Sequence, residues 1–285
     1  MAHKGTVRMR LAFVDLLFSW PPKGGADVDL YHVVRLLHDA GHEVCLFVTG
    51  IEGNGDRGCV RPEDVPFPVK RLVFTQKSFN RRDVPARIRS EVDAYRPEAV
   101  FVCDGFFLKP YVIRALAHYP LAGRYYAHEL VCVRDALQFK HGAPCPMDYL
   151  STPGVCRRCA LAHHRPQIQQ ERRLPLAHEF VAGRVYMPDY HRVLTESLRA
   201  LRIAIVSNEH MAKPFQQAGA RAHIVPGGVT VGEFMGLGDT RPPDGKTIIL
   251  MAGRAEDPMK GLRVLREAGE ILARDRRDFA IWATH

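Results

Sequence analysis

The sequence predicts an α/β protein: a parallel sheet with helices on both faces, followed by the opening of a second unit of the same kind. Three observations carry this. Short apolar runs alternate with amphipathic segments along most of the 285 residues. The runs are continuously apolar, as in strands buried on both faces. The first stretch, from Met9 to Thr49, reads strand, glycine-containing loop, helix, strand. That is a βαβ unit, whose crossover is right-handed.

The first strand is Met9 to Asp15, followed by the loop Ser19-Trp-Pro-Pro-Lys-Gly-Gly25. Asp27 or Asp29 can cap the next helix, which sets Leu30, Val33, Val34 and Leu37 on one face. Gly41 is suited to a left-handed C-cap. Strands follow at 43–49, 69–75, 99–103 and 124–127, with helices at 84–95 and 110–117 between them. From His128 to about His164 the rhythm breaks. This stretch is rich in Cys, Pro, Gly and His and reads as an irregular insertion. Helices are expected over 165–182, 190–201 and 208–218, the last ended by Gly219, with strands at 203–206 and 222–225. Residues 229–246 read as a linker. Strand 247–252, helix 260–274 and strand 278–283 then open a second domain. One βαβ unit is too small to bury a core alone, so that domain is expected to be incomplete.

Composition narrows the function. With 46% hydrophobic and 25% charged residues, the chain is neither disordered nor fibrous. No run approaches the ~18 apolar residues of a membrane-spanning helix. The N-terminus lacks a cleavage site of small residues, which argues against a signal peptide. The net charge of +9 favours polyanionic partners such as nucleotide phosphates or anionic lipid. No basic block, zinc finger, helix-turn-helix or RNP pattern points to nucleic acid. Seven cysteines, an odd number, suit a reduced cytoplasmic protein.

Two loops carry candidate phosphate chemistry. Gly24-Gly25 joins a strand end to a helix start, where N–H groups and the helix dipole favour an anion; the plain alternative is a turn needing positive φ. Gly253-Arg254 follows a strand and Lys260-Gly261 opens the next helix. Arg254 offers a fork of donors and Lys260 a point charge, unless both are solvated surface cations.

Order and spacing give these loops a context. The chain resembles the retaining glycosyltransferases of family four, with GT-B architecture of two facing Rossmann-like domains. The resemblance rests on Gly24-Gly25 before the helix ending Ala40-Gly41-His42-Glu43-Val44, His128-Glu129 after the fifth strand, and Val206-Ser207-Asn208-Glu209 after the sixth. Pro226-Gly227-Gly228-Val229 after the seventh and Gly253-Arg254 with Lys260-Gly261 complete it. The resemblance implies that Arg254 and Lys260 bind the donor diphosphate, with Gly24, Gly25 and Gly261 beside it. It places His128 near the transferred sugar, and Ser207, Asn208, Gly227 and Gly228 in the cleft. His128 can instead be a satisfied structural histidine. Glu129 can be a sugar contact, a general base or a solvated carboxylate. The family's Pro-Asn-Gly-Val-Asp reads Pro226-Gly227-Gly228-Val229-Thr230 here, and its late glutamate pair has no place in the sequence.

The remaining candidates are cysteines, aromatics and a basic stretch. Cys156-x2-Cys159 is a knuckle that turns two thiolates toward one ion, and Cys132 and Cys145 supply two more. Four thiolates suit a structural zinc; buried reduced thiols or a disulfide are the alternatives. Some members of the resembled family carry a similar cysteine-rich insertion. His141, His163 and His164 are substitute ligands. Trp20, Phe106, Phe107, Tyr125 and Tyr126 are candidates to line an acceptor cleft. Lys77, Arg81, Arg82, Arg87 and Arg89 form either a solvated face or a contact with an anionic membrane surface or a phosphorylated acceptor.

The expectation is a cytoplasmic enzyme, peripheral at the inner membrane face where that basic stretch binds lipid. It moves a sugar from a nucleotide-diphosphate sugar to an acceptor hydroxyl on a sugar, a lipid-linked or a small-molecule acceptor. Configuration is retained and no cofactor is required. Two rivals stand beside it. One is a non-catalytic half enzyme or sugar- or nucleotide-binding protein completed by a separate C-terminal domain polypeptide; the other is a metal-stabilised interaction module.

Overall fold

The computed structural model describes residues 7–53, 57–140, 143–169, 175–228, 231–233, 235, 245–253, 255 and 260–284. The chain divides into two compact units, Met1–Val229 and Thr230–His285.

The first unit is built on a seven-stranded sheet. Its strands are β1 (Arg10–Asp15), β2 (Glu43–Ile51), β3 (Val69–Phe74), β4 (Ala99–Val102), β5 (Leu121–Arg124), β8 (Ile203–Val206) and β9 (Ala222–Ile224). Every pairing is parallel, in the order β3-β2-β1-β4-β5-β8-β9. The chain leaves β1 toward one edge and returns to its other side at β4. That reversal is the topological switch point where open α/β sheets bind ligands.

Alternate strand residues build two cores. Leu11, Phe13, Val44, Leu46 and Val48 pack with Leu30 and Val34 of α1 (Gly25–Asp39). Ala12, Val14, Phe47, Val100 and Val102 pack on the opposite face. Helices α2 (Asp83–Tyr95), α3 (Lys109–Ala115), α6 (Tyr190–Ala200) and α7 (Glu209–Gln217) cover that second face. Each fully buried side chain of this size contributes about 1.5–3 kcal/mol. The doubly covered α/β sheet is therefore the fold that the continuous apolar runs predicted. Gly41 closes α1 at φ 90° and Gly219 closes α7 at φ 75°, left-handed positions that favour glycine.

Three expectations are corrected. The fifth strand is β5 at 121–124, not 124–127: its pairing with β4 ends at Gly123, opposite Val102, and its pairing with β8 at Arg124, opposite Ile205. The cysteine-rich stretch is not wholly irregular. It holds a short hairpin, β6 (Phe139–Lys140) with β7 (Ala143–Pro144), and the helix α4 (Pro153–Gln169). Cys156, Ala160 and His164 form the buried stripe of α4, and α5 (Pro175–Ala182) follows separately. Third, α1 starts at Gly25, so Asp27 lies in its first turn rather than at its cap.

The second unit pairs β10 (Thr247–Met251) with β11 (Phe279–Ala283) in parallel, connected through α8 (Leu262–Leu272).

Candidate functional site

In an all-parallel sheet every strand delivers its following loop to the same edge. The loops after β1, β4, β5, β8 and β9 therefore share one rim, and five backbone segments can converge there.

At the switch point the rim carries two acids. The Asp15 carboxylate accepts hydrogen bonds from the N–H groups of Leu17 (2.8 Å), Phe18 (2.7 Å) and Asp104 (2.9 Å). Burial nevertheless pushes its pKa up to about 6. Asp104 is held well above the carboxylate range by burial and by the charge of Asp15. Sequence reading passed over both residues. The available signal was an acid just beyond the apolar core of each of two strands, Phe13-Val14-Asp15 and Val102-Cys103-Asp104.

Gly24 is the N-cap of α1 at φ −165°, an extended conformation open to any residue. A Cβ built on Gly24 or Gly25 would meet nothing within 4 Å. Neither a positive-φ turn nor close packing within the protein explains the pair. Asp27 already accepts from the N–H groups of Ser19 (3.0 Å), Lys23 (2.8 Å) and Gly24 (3.1 Å), so the donors left for an anion are those of the first helical turn.

Asp29, one turn into α1, is gripped by Arg124 through Nη2 at 2.8 Å and Nε at 2.9 Å, and by the Tyr126 hydroxyl at 3.0 Å. Arg124 also donates to the Val225 carbonyl at 3.4 Å. A Cβ on Gly227 would stand 3.6 Å from Asp29 Oδ1, so the segment after β9 lies against α1, whereas Gly228 faces open space. This knot was also missed, because its partners are far apart in sequence.

His128 is half-buried, and its ring meets that of His210 edge to face, centroids 5.3 Å apart. Burial, and then the nearby His210, pull the His128 pKa below the usual imidazole value. His210 belongs to the first turns of α7, whose N-cap is Asn208: its Oδ1 accepts from the Met211 N–H at 3.0 Å. Ser207 donates to Met211 Sδ at 3.2 Å and accepts from Asn208 Nδ2 at 3.3 Å. His128, Ser207, Asn208 and the helix start thus form one cluster. Glu129 is placed differently. It is buried in an ion pair with Lys109, whose Nζ also donates to the Arg124 carbonyl at 2.6 Å and sits over the Tyr125 ring.

In the second unit Gly253, at φ 127°, exchanges hydrogen bonds with Thr284, and Gly261 caps α8 at φ 83°. The alkyl stem of Lys260 crosses Gly253, 3.6 Å from where a Cβ would stand. Arg254 lies outside the described residues.

Cys132, Cys145, Cys156 and Cys159 line one cavity of about 80 Å³ together with Arg134 and Lys140. Among the described residues no three His, Cys, Asp or Glu side chains are gathered tightly enough to hold an ion as they stand. His164 does not line this cavity. It is packed against Phe180 and Phe107, and burial lowers its pKa to about 4. His163 is half-buried beside Gln167, and His141 lies outside the described residues. Phe107 and Tyr125 belong to the core rather than a cleft. Trp20 stacks on Tyr31 at 3.8 Å, Tyr126 is bound to Asp29, and Phe106 packs on the core edge. Within the basic stretch, Arg81 pairs with Asp189 at 3.4 Å and Arg89 with Asp93 at 3.4 Å. Arg87 donates to the Val73 carbonyl, while Lys77 and Arg82 are exposed. Among the described residues no helix is long and apolar enough to cross a membrane.

No protein-family model and no curated protein matches the sequence. Solved structures do match. An E. coli structure described as trehalose-6-phosphate bound with UDP-2-fluoro glucose is 12% identical, with TM-score 0.54, over 96% of this chain and 64% of that one. The α,α-trehalose-phosphate synthase (UDP-forming) of Burkholderia xenovorans, in complex with glucose-6-phosphate, is 13% identical, with TM-score 0.52, over 96% of this chain and 65% of that one. The chain spans just under two-thirds of the length of both. At these identities the likeness shows the fold, a Rossmann-like α/β fold of GT-B type.

Proposed function

We propose that the chain belongs to a glycosyltransferase that takes a sugar from a nucleotide-diphosphate donor and passes it to an acceptor hydroxyl with retained configuration. The observation that carries this reading is the rim cluster of His128, Ser207 and Asn208 at the N-terminus of α7, on a sheet of GT-B type. Two structures with this fold are described with UDP-2-fluoro glucose and with glucose-6-phosphate, which supports a nucleotide-sugar donor and a phosphorylated or sugar acceptor.

The chemistry follows from the charges. As the bond from the anomeric carbon to the diphosphate breaks, negative charge grows on the leaving phosphate. Preorganised donors and cations lower that barrier most. Lys260 and Arg254 are the cations for this role. Neutral His128 hydrogen-bonds a sugar hydroxyl. Glu129, held by Lys109, shapes the site from beneath rather than touching substrate. No cofactor is needed for this step.

A second reading has its own observation. In the second unit Leu250, Val264, Ile271 and Trp282 are each at least half exposed. Such a surface suits completion by further polypeptide, with the present chain binding nucleotide but turning over only when completed.

Calorimetric titration with UDP and UDP-glucose, followed by a transfer assay over a panel of donors, tests the proposal. Nucleotide binding that weakens roughly tenfold in Lys260→Ala is expected for one lost charge-assisted contact. Binding of no nucleotide diphosphate sinks it. Binding without turnover selects the second reading.

A further inference from the structure

The four clustered cysteines come from three separate segments. Cys132 follows the turn after β5, Cys145 follows the hairpin strand β7, and Cys156 and Cys159 lie one turn apart on α4. Nothing in the sequence forces these segments together, yet all four thiols line the same cavity. Local packing there is thin: the hairpin strands are two residues each and β7 is exposed.

We infer that these four thiols form a structural site for one soft divalent cation of the zinc class, and that the ion braces the turn carrying His128. The donor set is all sulfur, which selects zinc over hard cations. The cavity of about 80 Å³ is well above the ~10–15 Å³ that holds a single water, so an ion has room once the thiols turn inward. That movement is required, because among the described residues no three such side chains are gathered tightly enough to hold an ion as they stand. Each thiol surrenders its proton to solvent as it binds, so a dication with four thiolates carries a net charge of −2. Arg134 and Lys140 line the same cavity and offset it. Asp135 Oδ1, which accepts from Cys132 Sγ at 3.2 Å, is freed when the thiolate turns to the metal.

The bracing follows from three backbone hydrogen bonds. Cys132 N–H donates to the His128 carbonyl at 2.9 Å, Ala136 N–H to the Cys132 carbonyl at 3.2 Å, and His128 N–H to the Ala136 carbonyl at 2.8 Å. These bonds close a loop on Cys132. Fixing its sulfur fixes the turn whose first residue is His128. This holds whatever His128 binds.

The test uses the full chain, stripped with a chelator and titrated with zinc alone. One zinc per chain is expected, with four of the seven thiols becoming unreactive to a thiol reagent as it binds. Cys145→Ser should lose stoichiometric zinc while keeping its circular dichroism, and Cys59→Ser should keep both. The amide signals of His128 and Ala136 should shift on metal removal, whereas that of Gly41, just past the C-cap of α1, should not. A folded wild-type chain that takes up no stoichiometric zinc overturns the site, as does full retention by Cys145→Ser. Unmoved His128 and Ala136 signals overturn the bracing.

Discussion

Lys109 Nζ stands 2.9 Å from Glu129 Oε1, with both side chains almost wholly buried. Lys109 opens α3 and Glu129 follows β5, so the pair joins the loops on either side of that strand. Its ammonium also donates to the Arg124 carbonyl, and Arg124 in turn grips Asp29. Lys109→Met strands the carboxylate of Glu129 in the interior and should destabilise the fold by about 3–5 kcal/mol. Lys109→Met with Glu129→Leu should recover most of that loss. Chemical denaturation checks both. If Glu129 were instead a general base, Glu129→Gln would lower turnover beyond what its loss of stability accounts for.

The Asp15 and Asp104 carboxyls give a pH dependence of a particular sign. Each has a folded pKa above its unfolded value, so the native state holds protons that the unfolded chain releases. The Asp15 contribution is greatest below about pH 4 and is lost as pH rises through about 6. From Asp15 alone the change is about 3 kcal/mol. The difference in unfolding free energy between wild type and Asp15→Asn, measured from pH 4 to 7, should fall across this window. A difference independent of pH would show that the Asp15 carboxyl is not perturbed.

How much of this was legible in the sequence depends on where each interaction's partners lie. The strand sequence Arg10–Asp15 and the C-caps at Gly41 and Gly219 are local, and their positions were read correctly. Helix α4 was hidden because its buried stripe is Cys156, Ala160 and His164. Those residue types read as a metal loop, although their spacing of four is helical. The fifth strand was displaced because Tyr125 and Tyr126 are the stronger β-formers; the paired ladder nevertheless ends at Arg124, opposite Ile205. The Asp29–Arg124 pair spans 95 residues, and Asp104 binds a carboxylate 89 residues away. No pattern of spacing exposes either. They become visible only once strand order sets β1, β4 and β5 side by side.

His128 should titrate below the ordinary imidazole value of about 6.5. Burial is the larger cause and His210 the smaller. His210→Gln should therefore raise the His128 midpoint without restoring it fully. The depressed pKa contributes stability that is complete above about pH 6.5 and is lost as pH falls toward the folded value. Imidazole resonances followed over pH 4–8 measure the shift. An unchanged His128 midpoint in His210→Gln would mean that the two rings do not interact.

Gly25 and Gly41 provide a matched pair of substitutions. At Gly41 the backbone sits at φ 90°, so Gly41→Ala must strain the C-cap of α1 and should cost about 1–2 kcal/mol. Gly25 is the first residue of the helix, and an added Cβ there meets nothing within 4 Å. Gly25→Ala should leave stability unchanged or raise it by up to about 1 kcal/mol, since alanine favours the helix. The fold therefore has no use for glycine at position 25 that alanine could not serve. A bound diphosphate would: the methyl group would occupy the approach to the first-turn N–H groups. Gly25→Ala should weaken UDP binding while Gly41→Ala leaves it alone. Thermal unfolding and UDP titration on the same two variants separate the roles. If Gly25→Ala binds UDP as tightly as wild type, the phosphate does not sit against the start of α1.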